Sequence, residues 1–127
     1  MKLFNEFLLV AAGGSIGAII RYAIARACET SLKITFPVAT LTANVIGCFL
    51  IGLLIGSGIG EKSDSVRLWF GVGLLGSLTT FSTFGAETIK CLHDNQWSIA
   101  LSNVFANLVL GLLAVALGIL VMRKFTG

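Results

Sequence analysis

The stretch Gly76-Ser77-Leu78-Thr79-Thr80-Phe81-Ser82-Thr83-Phe84-Gly85 lies inside residues 68–86, a run of 19 positions without a charged side chain. A helix crosses the hydrocarbon core of a bilayer with about 20 mainly apolar residues. The run is therefore long enough to span a membrane, yet its middle is crowded with hydroxyls. Four of the five residues Thr79, Thr80, Phe81, Ser82 and Thr83 carry one. Ser and Thr hydroxyls offer bonds to nearby backbone and so compete with the helical ladder. Gly73, Gly76 and Gly85 weaken that ladder further. The pattern predicts a membrane helix broken near the bilayer midplane. The blander reading is a continuous helix whose hydroxyls bond back to its own carbonyls. A break is tolerated only where protein or water surrounds the freed backbone groups. The freed carbonyls can then hold a cation, and the restarting half-helix points its positive N-terminus inward.

The flanking sequence repeats the membrane signature. Residues 36–60 hold 25 positions without a charge, and residues 95–122 hold 28. Residues 7–20 are also uncharged and continue toward Arg26. Glu6 ahead of that apolar run, and the lack of a convincing cleavage box, favour a first membrane helix over a secretory signal. The expected fold is an all-α integral membrane protein. A single domain over residues 1–127 has spans at about 3–26, 36–60, 68–90 and 95–122. Composition agrees: 56% of the chain is apolar and 12% charged, with 15 glycines and a mean hydropathy of +0.95. Soluble proteins carry roughly 25% charge, so a soluble enzyme and a disordered tail are both excluded. Strands of alternating polarity are missing, which excludes a membrane β-barrel. The linkers, residues 28–35, 61–67 and 90–95, are too short for a folded loop domain.

Lys and Arg near helix ends set orientation. Four spans put both termini on one side, with Lys2, Lys62, Arg67, Arg123 and Lys124. The opposite side has Arg21, Arg26, Lys33 and Lys90. Five against four gives no clear instruction, so the charge count predicts insertion in both orientations. Opposed copies would then pair as an inverted repeat made from two chains. Gly13-x-x-x-Gly17 and Gly52-x-x-x-Gly56-x-x-x-Gly60 provide small residues at helix-packing spacing.

Polar groups are costly in hydrocarbon and tend to mark pathways. The second span carries Thr40, Asn44 and Gly47 on one stripe, and the fourth carries Asn103, Asn107 and Gly111. The asparagines serve either interhelical bonding or a donor-lined track for a solute. Phe81 and Phe84 share one helix face. They are apolar filler, or ring edges that attract a small anion through the positive rim of the phenyl group. Arg21 and Glu87 fall near the interface, where Arg21 either draws anions into a vestibule or snorkels. Trp69 and Trp97 read as interface anchors. His93 falls in a loop, and Cys28, Cys48 and Cys91 have no metal spacing. No nucleotide, protease or redox motif occurs, which argues against an enzyme. The longest basic cluster is Arg123-Lys124, which argues against nucleic-acid binding.

The string Gly13-Gly14-x-x-Gly17-Ala18-x-x-Arg21-Tyr22 resembles the opening motif of the Fluc/CrcB fluoride channels. Pro37-x-x-Thr40-Leu41-x-x-Asn44-x-x-Gly47 is similar to the family's second-helix motif. Gly76-x-x-Thr79-Thr80-Phe81-Ser82-Thr83-Phe84 is similar to its third-helix signature. Ala39 and Ser77 stand where the family usually has glycine. The resemblance implies a multi-pass protein of the bacterial inner membrane, built as an antiparallel, dual-topology homodimer with two pores. It implies passive export of cytoplasmic fluoride, which lowers fluoride toxicity. It implies a structural sodium ion at the dimer interface, held by main-chain carbonyls of Gly76 and Thr79. Phe81, Phe84 and Asn44 would line the pore with Thr40, Ser82 and Thr83. The fourth-helix polar track would fall on Asn103 and Asn107, where many relatives have Tyr and Ser. The physics is compatible. Fluoride is small and strongly hydrated, so a dry pore must replace its water with neutral donors that release it again.

A small multidrug-resistance-like exporter, with the same size, four spans and dual insertion, is the main competitor, but its mechanism needs a carboxylate deep in the first helix, where Glu6 lies only at the edge. A non-conducting assembly subunit is the third reading. The charge balance generates a direct expectation: reporter tags fused after Gly127 are found on both sides of the membrane. A single orientation in every cell would remove the basis for an antiparallel pair.

Overall fold

The computed structural model describes residues 1–31 and 35–126. Lys33, counted above in the first linker, and Gly127 lie outside them. The chain is all-helical among these residues, and four helical stretches are long and apolar enough to cross a membrane. They are α1 (Lys2–Ser31), α2 (Val38–Ser57), a composite third stretch (Asp64–His93) and α7 (Trp97–Thr126). The connection after α2 is helical too, with α3 (Ile59–Lys62) and α4 (Asp64–Val66) in place of an open linker at 61–67. The third stretch then continues as a π-helical segment (Arg67–Leu75), α5 (Gly76–Leu78) and α6 (Phe81–His93).

The helices run past the uncharged runs because helical hydrogen bonding does not stop where the hydrocarbon does. Thirty residues of α7 extend about 45 Å at 1.5 Å each, against a core of about 30 Å. Local chemistry sets the ends. Gly58, with φ of 63°, takes the left-handed conformation that closes α2, and its amide donates to the Ile55 carbonyl at 3.1 Å. Glycine pays no Cβ penalty there, so α2 stops at Ser57 and the chain turns before residue 60. Asn95, with φ of 58°, makes the corresponding turn ahead of α7. His93 is the last residue of α6 and not a loop residue, because the α6 ladder persists to the Asp94 amide, which donates to the Lys90 carbonyl at 3.0 Å.

Two helix pairs carry the packing: α2 against α7, and α1 against the π segment. Both rest on backbone-to-backbone approach. A Cβ added at Gly13 would overlap the Trp69 carbonyl oxygen, and one at Gly17 would overlap that of Leu74. Across the other pair, Gly52 faces the Val115 carbonyl and Gly118 faces that of Phe49, each with no room for a side chain. Lipid is as apolar as leucine, so close van der Waals contact of this kind, not burial from water, holds membrane helices together. Gly60 is different: its Cβ would make ordinary contact with Leu54, 3.5 Å away. A small cluster of Ala43, Leu74, Leu75 and Leu78 is buried where α2 meets the third stretch, with Trp69 packed against it. Trp69 thus contributes to the interior as well as lying near a span end. The outer faces, with Phe105, Leu112 and Leu120, are exposed and apolar.

Gly17→Val and Gly118→Val should each lower stability by about 1–3 kcal/mol or more, since overpacking here pushes on backbone. Gly60→Ala should be tolerated. Thermal unfolding in detergent, read as loss of the monodisperse species, distinguishes the two groups.

Candidate functional site

Helical geometry stops between α5 and α6. Thr79 (φ −81°, ψ 153°) and Thr80 (φ −149°, ψ 115°) are both extended. The Thr79 amide and hydroxyl both turn back to the Leu75 carbonyl, at 3.1 Å and 3.0 Å. The Thr80 hydroxyl caps α6 by accepting from the Thr83 amide at 3.2 Å and lies 3.0 Å from the Thr83 hydroxyl and 3.2 Å from that of Ser82. This is the N-cap arrangement that Ser and Thr favour. The hydroxyl-rich string therefore does two jobs: it bonds back to the helix it ends and caps the helix it starts.

Asn44 of α2 supplies the remaining partners. Its Oδ1 accepts from the Thr80 amide at 2.8 Å, and its Nδ2 donates to the Thr80 carbonyl at 3.3 Å. One side-chain amide thus pairs with both polar groups of Thr80, as a neighbouring strand would. Gly47, one turn further along α2, leaves the space occupied by the Thr79 methyl group. The stripe Thr40, Asn44 and Gly47 read from the sequence faces the third stretch at all three positions.

The same Nδ2 also donates to Asn107 Oδ1 at 2.9 Å. Asn107 Nδ2 donates to Asn103 Oδ1 at 2.9 Å and to the Asn103 carbonyl at 3.0 Å. Asn103, fully buried at 0% exposure, donates from Nδ2 to the Thr88 hydroxyl at 2.9 Å. Thr88 in turn donates to the Phe84 carbonyl at 2.8 Å. The asparagines of α2 and α7 are thereby joined in one network with α6. Nothing in the sequence marks Thr88, a lone threonine beyond the hydroxyl-rich string; only its position one turn past Phe84 connects it.

Phe81 and Phe84 lie side by side on α6, with ring centroids 5.4 Å apart and planes tilted by 51°. Phe81 is 82% exposed on the single chain, whereas Phe84 is half-buried. Next to the interruption a cavity of about 860 Å³ opens between α1, α2 and α6, with Arg21, Thr40, Thr80, Thr83 and Glu87 in its wall. The buried Thr40 hydroxyl donates to Glu87 Oε1 at 2.8 Å. Glu87 Oε2 and Arg21 Nε are buried and have no hydrogen-bond partner among the described residues. These two atoms, of opposite charge type, belong to residues in the wall of one cavity. Ser82 is exposed near the start of α6, and Gly76 is exposed at the start of α5.

Among the described residues no three His, Cys, Asp or Glu side chains gather to hold a metal. A cation at the interruption would rely on main-chain oxygen, the donor type that suits a hard ion such as sodium. The extended Thr79 backbone (φ −81°, ψ 153°) leaves the helical ladder, which fits that donor set.

A family described as "CrcB-like protein, Camphor Resistance (CrcB)" matches residues 8–119. A protein of Dehalococcoides mccartyi is 41% identical over 116 residues, covering 90% of this chain and 89% of its own length. One of Shewanella baltica is 45% identical over 115 residues, covering 90% and 93%. One of Shewanella woodyi is 44% identical with the same coverage. All three are named fluoride-specific ion channel FluC.

Replacing Asn44 by Ala would leave the Thr80 amide without its partner and Asn107 with an open acceptor. Each buried group left unsatisfied costs about 1–3 kcal/mol. The Asn44→Ala variant should therefore unfold at lower temperature than Ser82→Ala, whose hydroxyl is exposed, when both are followed by circular dichroism in the same detergent.

Proposed function

The chain belongs to the CrcB-like family, and on that premise we propose that it is a fluoride-specific channel, a passive pore and not an enzyme. The observation that carries this reading is the 41–45% identity, over 90% of the chain, to proteins named fluoride-specific ion channels. In this reading the protein is a multi-pass channel of the bacterial inner membrane. It lets fluoride leave the cytoplasm down its gradient. An exporter is not favoured, since relatives of this similarity are named as channels.

Fluoride must exchange water for protein donors along a narrow path, and those donors must let it go. Neutral groups do this better than a fixed cation. The proposed wall consists of Phe81, Phe84, Asn44, Thr40, Ser82 and Thr83. Hydroxyl and amide N–H groups donate hydrogen bonds, and phenyl edges present their positive rim. Asn103 and Asn107 belong to this polar track through their bonds to Asn44. Arg21 and Glu87 form the vestibule, where the guanidinium raises the local anion concentration and the carboxylate, held by Thr40, limits how tightly an anion stays.

The working unit in this proposal is an antiparallel homodimer with two pores. Two observations support it: the near-even charge count across the four spans, and the exposure of Phe81 on one chain, which leaves a wall that a second copy would close. The interruption at Thr79 and Thr80 then lies near the bilayer midplane. Carbonyls of Gly76 and Thr79 from both copies would hold a structural sodium ion. When bound, that ion supplies positive charge that joins the two copies and needs no side-chain ligand.

The test is efflux from liposomes that contain only this protein, comparing fluoride with chloride. Wild-type protein should release fluoride and retain chloride. Phe81→Ile and Phe84→Ile should leave the dimer assembled and reduce fluoride flux by orders of magnitude, because Ile has no positive edge. As mere filler, each change would cost roughly 1–3 kcal/mol and leave flux per folded dimer nearly intact. Near-normal flux in both variants would place the conduction path elsewhere.

A further inference from the structure

The bonds from Thr80 through Asn44, Asn107, Asn103 and Thr88 to the Phe84 carbonyl all run in one donor direction. This direction is a chemical choice. A carboxamide has a donor end and an acceptor end of nearly the same shape, and its partners decide which end goes where. The Thr88 hydroxyl has a single proton. It is spent on the Phe84 carbonyl, one turn back on the same helix. The Thr88 oxygen can then only accept, so Asn103 must face it with Nδ2. Asn103 Oδ1 is thereby turned to Asn107, which must answer with its own Nδ2. Asn107 Oδ1 is left for Asn44, so Asn44 presents Nδ2 to it and Oδ1 to the Thr80 amide.

The other end of the chain imposes the same order, because a peptide N–H can only donate. The Thr80 carbonyl, which accepts from Asn44, and the Asn103 carbonyl, which accepts from Asn107, hold the same order, so what Thr88 adds is the tie to α6 and not the direction alone. Asn103 is fully buried, so no solvent is at hand to repair a broken link. Satisfied networks of this kind are rigid, and half-satisfied ones are worse than none. The relay also begins at Thr80 and returns to α6 at Phe84. It therefore encloses the turn that carries Phe81 and Phe84, through two other helices.

We propose that Thr88 is a positioning residue for Asn44, acting through Asn103 and Asn107. Its hydroxyl ties the far end of the amide relay back to α6 and so holds Asn44 in place against the interruption. Thr88 need not touch the conducted ion. The consequence for flux rests on the channel reading; the consequence for the Thr80 amide does not.

Thr88→Val keeps the shape and removes the hydroxyl, while Thr88→Ser keeps the hydroxyl. Two quantities are read on the full-length protein: hydrogen exchange of the Thr80 amide by NMR, and fluoride efflux per folded dimer. Thr88→Val should speed Thr80 exchange tenfold or more and lower efflux tenfold or more. Thr88→Ser should bring both to within about twofold of wild type. The double variant Asn103→Leu with Thr88→Val serves if the single variant does not fold. It removes donor and acceptor together, so no buried amide is orphaned, and such paired apolar replacements are often near neutral for stability. Asn107 keeps its bond to the main-chain carbonyl of residue 103. The double variant should regain thermal stability while Thr80 exchange stays fast. Recovery of slow Thr80 exchange along with stability would overturn the proposal, as a purely structural role predicts. Unchanged Thr80 exchange in Thr88→Val would overturn it whatever happens to flux. If wild-type protein passes no fluoride at all, the channel reading fails, and Thr80 exchange alone still decides the role of Thr88.

Discussion

Where a membrane-spanning helix is interrupted, backbone amides and carbonyls lose their helical partners in a place where water does not replace them. Each such group costs several kcal/mol if left unpaired. The pairing of Asn44 with both polar groups of Thr80 answers that demand, and much of the molecule follows from it. α2 must hold one register against the third stretch, or the amide misses Thr80. Gly47 must lack a side chain, or the Thr79 methyl group has nowhere to go. α7 must place Asn107 opposite Asn44, because the Asn44 amide has a second hydrogen to satisfy.

Glycine contacts make that register reproducible. Gly52 and Gly118 let α2 and α7 meet backbone to backbone, and Gly13 and Gly17 do the same for α1 and the π segment. In lipid, the only return on helix contact is close packing and polar bonding. The two are combined here along α2, whose small residues set the distance to α7 and whose polar residues set the rotation. The wide π turn brings Gly73 against α1, where a Cβ would crowd the Val10 carbonyl and the Gly14 amide. Such turns are uncommon and recur near functional positions.

Polarity is graded along the proposed route. Charged groups, Arg21 and Glu87 among them, line the cavity beside the interruption. At the interruption itself the polar groups are neutral hydroxyls and amides, and α6, which starts there, carries the two phenyl rings. A full charge within the narrow part would trap an ion of opposite sign, whereas neutral dipoles attract and release. The Thr40 bond to Glu87 joins the two zones through a residue of α2, the helix that also carries Asn44.

Span number, helical class and the weak point of the third span were legible in the sequence, because length without charge and clustered hydroxyls act locally. The stripes Thr40, Asn44, Gly47 and Asn103, Asn107, Gly111 were legible too, since helical period alone puts their members on one face. Their use was not. The sequence left open whether the asparagines bond to one another or to a solute, and nothing in it marked Thr88. Helix ends also moved: Gly58 and Asn95 stop or start helices through backbone conformation, which charge counting does not register. Amide direction, the pairing of Asn44 with Thr80 and the seat of Phe84 depend on which faces of α2, α6 and α7 meet. Helix pitch determines which residues share a face, but only packing between helices determines what each face touches. For that reason the sequence by itself determined where polar groups lie along the spans, and the tertiary structure decided which of them are bound to each other and which line the cavity.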